Sequence, residues 1–178
     1  MADSKFSTFL TASLLAAAFF SGCIEQVSPG PSAPANVDVF FCPADRCEDR
    51  AVNAIANSKE SVDVAIYSFT SKEIEQALLK AKAKGVKVRV ILDYVQSSQE
   101  SSVAKGLQAK GVDVRIYPKS TVMHNKYAVI DNKVVITGSF NWTTNADERN
   151  RENLLVSNSP ALAEKYESDF FKLWIEAG

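Results

Sequence analysis

The chain has 178 residues, 46% of them apolar and 23% charged, with a formal net charge of −1. That suffices for one domain with a buried core plus an extension, in an ordinary globular composition. The balanced charge excludes a global basic field, so any polyanion must be held by a local cluster.

At the N-terminus, Lys5 precedes an apolar run from Phe9 to Phe20, and Ser21-Gly22-Cys23 follows. A helix needs about 20 residues to cross ~30 Å of hydrocarbon, so this run is too short to span. Residues 1–22 read instead as an export signal. Cys23 after Ser-Gly resembles a lipoprotein processing site. It would become the lipidated first residue of a membrane-anchored protein facing the extracytoplasmic side. An uncleaved short anchor would leave the domain on the same side. Residues 23–36 form a tether, rich in Pro, Ser and Gly from Gln26 onward, a composition that buries little apolar area. The folded domain is then residues 37–178. Outside the cytosol the remaining Cys42 and Cys47 can form a disulfide. Free thiols and a zinc site are the alternatives, though zinc wants four ligands.

Within the domain, Val37 to Phe41 reads as a first strand. Asp45 to Asn57 carries Val52, Ile55 and Ala56 at helical spacing. Ser61 to Phe69 reads as a buried strand. Thr70 to Glu73 matches a capping box, opening a helix with Ile74, Leu78 and Leu79 on one face and Gly85 at its stop. The stretch Ala83 to Val90 is echoed by Ala109 to Ile116. Each copy is a helix end, a glycine and a strand, one step of a β-α-β winding. This predicts an α/β sandwich. Tyr127–Ile130 and Val134–Thr137 are short strands around the turn Asp131-Asn132-Lys133. Asn153–Val156 reads as another strand. Ser159-Pro160 opens a closing helix with Leu162, Tyr166, Phe170 and Leu173 on its apolar face.

The chemistry concentrates in the pattern H-x-K-x4-D-x6-G-S-x-N from His124 to Asn141, which contains the only histidine. A phosphodiester repels nucleophiles by its charge. Cleaving it requires neutralising that charge, in-line positioning and a proton for the leaving oxygen. His124 and Lys126 are two apart, so on an extended strand they share a face. Histidine is partly unprotonated near neutral pH and can attack phosphorus. Lys126 pairs with a phosphate oxygen, and Ser139 and Asn141 donate to the same oxygens. Gly138 allows close approach. The leaving oxygen needs a second acid. With one histidine per chain, a twofold dimer sharing one active site supplies it. Glu152, at the start of a predicted strand, is the candidate to orient His124. Asp131 belongs to the motif, but roughly 15 Å of extended chain separates it from His124, so it suits fixing the turn better. Arg149, Arg151 and Lys119 are candidates for a local basic rim. Trp142 and Trp174 read as core residues.

His124, Lys126, Asp131, Gly138, Ser139 and Asn141 resemble the HKD motif of the phospholipase D superfamily, and the chain is most similar to its small single-motif members, the Nuc-type endonucleases. The resemblance covers about Val37 to Gly178. It implies a phospholipase D-like sandwich, a mixed sheet flanked by helices. It also implies a phosphohistidine intermediate, no metal or other cofactor, and a homodimer with a shared site. Glu152 fits the glutamate that follows the motif. The implied reaction is phosphodiester hydrolysis in DNA, with RNA as a further substrate; phospholipid head groups are the alternative. The membrane enters as a partner through the Cys23 anchor.

Overall fold

The computed structural model describes residues 36–178. The signal segment, Cys23 and nearly all of the tether lie outside the described residues. In chain order the elements are β1 (Val37–Cys42), α1 (Cys47–Ala56), β2 (Ser61–Ile66), α2 (Lys72–Ala83), β3 (Lys87–Leu92), α3 (Tyr94–Ser97), α4 (Ala104–Ala109), β4 (Asp113–Ile116), β5 (Lys126–Ile130), β6 (Val134–Gly138), α5 (Thr144–Glu148), β7 (Glu152–Ser157) and α6 (Pro160–Glu176). The strands form one mixed sheet in the order β1-β7-β6-β5-β2-β3-β4. β2, β3 and β4 run parallel, and every other pairing is antiparallel.

The repeated sequence has a repeated cause. At the end of α2, Val86 N–H donates to Ala81 C=O and Gly85 N–H to Lys82 C=O. At the end of α4, Val112 donates to Leu107 and Gly111 to Gln108 in the same way. Both glycines have positive φ, 91° and 73°. These are two Schellman stops, and each hands the chain to the next parallel strand.

Side chains alternate across the sheet. Val64, Ile66, Val90, Ala128 and Ile130 enter a core with Ile55 of α1, Leu78 of α2 and Leu107 of α4. Ala65, Ile91, Tyr127 and Val129 face the other way, against Ala163, Phe170 and Trp174 of α6. The central strands are covered on both faces, hence their nearly continuous apolar sequence. Ser159 caps α6 by accepting from Leu162 N–H, with Pro160 in the first turn. Cys42 and Cys47 are disulfide-bonded with Cα atoms 5.6 Å apart, joining the end of β1 to the start of α1.

Two local expectations shift. β2 ends at Ile66, not Phe69, because the backbone soon leaves the sheet for Trp142. Tyr67 N–H still follows the neighbouring chain to Asn125 C=O, but Ser68 C=O accepts from Trp142 N–H, and Thr70 and Ser71 N–H both donate to Trp142 C=O. The cap of α2 is therefore Ser71, whose hydroxyl accepts from Ile74 N–H at 3.0 Å, rather than Thr70. Trp142 is 1% exposed and packs edge-on against Phe69, so it holds this junction as a core residue.

Candidate active site

Strand direction assembles the site. The parallel strands β2, β3 and β4 end at one sheet edge, where ligands commonly bind in open α/β sheets. β5 runs against β2, so its first residue, Lys126, lies at that same edge opposite Ile66. The next two reversals bring the end of β6 at Gly138 and the start of β7 at Glu152 to it as well.

His124 lies in the extended segment just before β5 and is exposed. Lys126 Nζ stands 3.2 Å from its Nδ1 and 3.3 Å from its Nε2. The same ammonium donates to His124 C=O at 2.8 Å. The ring packs on Tyr67, centroid to centroid 4.5 Å, and Lys126 Nζ lies 5.1 Å from the Tyr67 ring centre. Burial pulls the Lys126 pKa below that of a free lysine, and the Glu152 carboxylate partly offsets this. The segment is held from beneath by Asp93. Its carboxylate accepts from Met123 N–H at 3.2 Å and caps α3 by accepting from Val95 and Gln96.

Ser139 and Glu152 meet across β6 and β7. The Ser139 hydroxyl donates to the Glu152 carboxylate and accepts from Asn153 N–H at 3.1 Å. Asn150 Nδ2 donates to the other Glu152 oxygen at 3.0 Å. Asn141 follows, and its Oδ1 is buried with no hydrogen-bond partner among the described residues. An unmet buried amide oxygen costs about 1–3 kcal/mol. Gly138 has φ 153° and lies so near Asn153 that an added Cβ would sit 2.2 Å from its carbonyl oxygen. Only glycine permits that approach.

The motif residue Asp131 sits at the far end of β5, away from His124. Its carboxylate accepts from the N–H groups of Lys59, Glu60 and Ser61. Burial works to raise its pKa, but these three bonds and the nearby Lys133 outweigh that and hold it below the usual range. Asp131 and Asn132 both have positive φ, near 50°, and Lys133 N–H closes the turn on Ile130 C=O, so the residue fixes the hairpin and clamps the entrance to β2. Glu152, expected on the His124 ring, bonds Ser139 and Asn150 instead. Among the described residues no carboxylate hydrogen-bonds that ring.

Beside His124 and Lys126 opens a cleft of about 370 Å³. Tyr127, Thr137 and Gly138 line it from the sheet, and Lys165, Tyr166 and Asp169 from α6. Asp169 accepts from the Tyr127 hydroxyl at 2.9 Å. Sequence reasoning missed Tyr67, Asn150, Asn153 and the α6 wall. Tyr67 alone left a signal, as the residue just past a strand ending at the ligand edge.

Residues 51–174 match the family model described as cardiolipin synthase, phospholipase D-like domain. The chain belongs to the phospholipase D superfamily. It is a phosphodiesterase of the single-motif, Nuc-type class. A phospholipase D of Rickettsia prowazekii is 37% identical over 148 residues, covering 83% of this chain and 72% of that protein. A mitochondrial cardiolipin hydrolase of Xenopus tropicalis is 34% identical, covering 76% and 66%. The crystal structure of Nuc, a phospholipase D family member from Salmonella typhimurium, superposes with TM-score 0.76 at 32% identity, covering 80% of this chain and 96% of that one. The phospholipase D sheet edge thus carries the His124–Lys126 pair and the Ser139–Glu152 pair together.

Proposed function

We propose that this protein is a metal-independent phosphodiesterase that hydrolyses DNA, and also RNA, as a non-specific endonuclease working as a homodimer. The observation that carries this reading is the Lys126 ammonium within 3.3 Å of both ring nitrogens of an exposed histidine. A phosphate oxygen drawn to Lys126 places phosphorus beside His124. A ring nitrogen attacks, and the P–O bond to the leaving oxygen breaks. His124 of the partner subunit gives that oxygen its proton. Water then attacks the phosphohistidine, giving its own proton to the same partner ring, and a phosphate monoester leaves. Ser139 and Asn141 donate to the non-bridging oxygens. For this, Ser139 turns its hydroxyl from Glu152 to the substrate.

An exposed apolar face of the sheet supports the proposed second copy. Tyr127, Thr137, Leu155 and Val39 are successive register partners and share one face. α6 covers that face at Tyr127, yet Val37, Val39 and Phe41 on the edge strand are 49%, 49% and 61% exposed. Phe41 pairs with Asn153, the neighbour of Ser139, so this apolar stripe runs up to the site.

The purified domain is expected to degrade plasmid and single-stranded DNA in EDTA. His124→Ala should lower the rate about a thousandfold or more. Equal cleavage by the variant would assign the activity to a contaminant and remove the proposal. A phospholipid substrate is the second reading, favoured by exposed Tyr94, Val95 and Val122 near His124. Release of phosphatidate from vesicles in EDTA, without DNA cleavage, would select it. We propose further that the protein is exported and tethered through lipid on Cys23. The Cys42–Cys47 bond supports an oxidising compartment.

A further inference from the structure

The strongest unassigned feature is a trough along α6. The cleft beside His124 ends at Lys165. A second hollow of about 510 Å³ begins at the same lysine and is lined by Ala161, Glu164, Lys165, Ser168 and Lys172. Residues 165, 168 and 172 follow the spacing i, i+3, i+7, so they form one stripe on the helix. Lys165 to Lys172 covers about 10.5 Å of helix axis. Among the described residues, neither lysine makes a salt bridge. The neighbouring carboxylates on this side of the helix are Glu164, Asp169 and Glu176; Asp169 accepts from the Tyr127 hydroxyl and Glu176 from the Tyr117 hydroxyl.

Resting on the polynucleotide reading above, we infer that α6 carries a second phosphate subsite. Lys165 holds the phosphate that flanks the scissile one in a single-stranded polynucleotide, and Ser168 and Lys172 continue the track. The scissile phosphate already has its cation in Lys126, so two more unpaired cations in line suit a ligand with repeated charges. A phospholipid with one phosphate leaves both unused. Apart from Ala161, every side chain lining the second hollow ends in a polar or charged group that a solvated backbone can use. A single strand fits the width of one helix face and needs no groove geometry.

The test compares wild type with Lys165→Ala and Lys172→Ala on three probes. One is bis(p-nitrophenyl) phosphate, with a single phosphate. Another is a short single-stranded oligodeoxynucleotide. The third is that oligonucleotide with neutral methylphosphonates on both sides of one scissile phosphate. Lys165→Ala should raise KM for the oligonucleotide about tenfold more than for the small diester, with kcat little changed. Lys172→Ala should act in the same direction but more weakly. With methylphosphonate flanks, wild type should fall to the level of Lys165→Ala, and the substitution should add nothing. Equal KM changes on both diesters, or a Lys165→Ala effect that survives the neutral flanks, would overturn the subsite alone. Hydrolysis of the small diester with no oligonucleotide cleavage by wild type would overturn the polynucleotide reading, and the subsite with it.

Discussion

Lys126 is held between opposing influences. Partial burial disfavours its charge, and the Glu152 carboxylate favours it. In the proposed reaction the charged form binds phosphate, so activity should be lost as pH rises through the Lys126 pKa. Because that pKa is lowered, the alkaline limb of kcat/KM should fall below the range of a free lysine. Glu152→Gln removes the supporting charge and should move the limb further toward neutral pH. The readout is the position of the limb, which a general loss of activity does not move. An unmoved limb would show that Glu152 acts only by holding Ser139. That second role is visible too. Its oxygens take the Ser139 hydroxyl and the Asn150 amide, so the residue sets both a hydroxyl's direction and a lysine's charge.

At the scale of elements, α6 is the wall of the cleft, and a buried charge cluster seats it. Arg89 of β3, 7% exposed, bonds Asp63 of β2 through two nitrogens and reaches Glu167 of α6 at 3.2 Å. Its guanidinium also lies within 5 Å of the Phe170 and Phe171 ring centres. Burial and the neighbouring Asp63 charge push Glu167 up to about 7. Its folded pKa lies above the unfolded value, so the fold holds this proton longer. Stability from this group is full below about pH 4.5 and falls as pH rises toward 7, by no more than about 3 kcal/mol. Glu167→Gln keeps the acceptor for Arg89 without the titration. Its Tm should therefore pull ahead of wild type by several degrees between about pH 5 and about pH 8. Parallel Tm profiles would contradict this. The sequence displayed α6 well, because its cap, proline and apolar stripe are local signals. The two Schellman stops were equally legible as a repeated glycine. Lys165 was not, since what places it beside His124 is the packing of α6 on the sheet, and contact between distant parts of the chain leaves no local trace. The cap of α2 slipped by one residue for the same reason, as the distant Trp142 carbonyl takes the amides of Thr70 and Ser71.

For the whole molecule, one histidine per chain is the governing fact. Nucleophilic attack and protonation of the leaving oxygen fall on opposite sides of phosphorus, so one imidazole does not serve both in a single step. Within the protomer the His124 ring contacts Tyr67 and Lys126, neither of which suits the acid's part. The Tyr67 ring lies tilted at 56° to the imidazole with its hydroxyl accepting from Gln96, and in the proposed reaction Lys126 neutralises phosphate. In the proposed homodimer, a second copy on the exposed β1 face would supply the missing group. This requirement has a quantitative consequence when wild type and His124→Ala are unfolded together and refolded. If each site uses one histidine from each subunit, only dimers with two wild-type chains are active. An equal mixture should retain about one quarter of the wild-type activity, whereas independent protomers would retain about one half. Across mixing ratios, activity should follow the square of the wild-type fraction. A linear dependence would show that each protomer works alone and that the acid must be sought within the chain. Phe41→Lys, placing a charge on the exposed stripe, should shift the protein toward monomer in sedimentation equilibrium and reduce activity in step with the lost dimer.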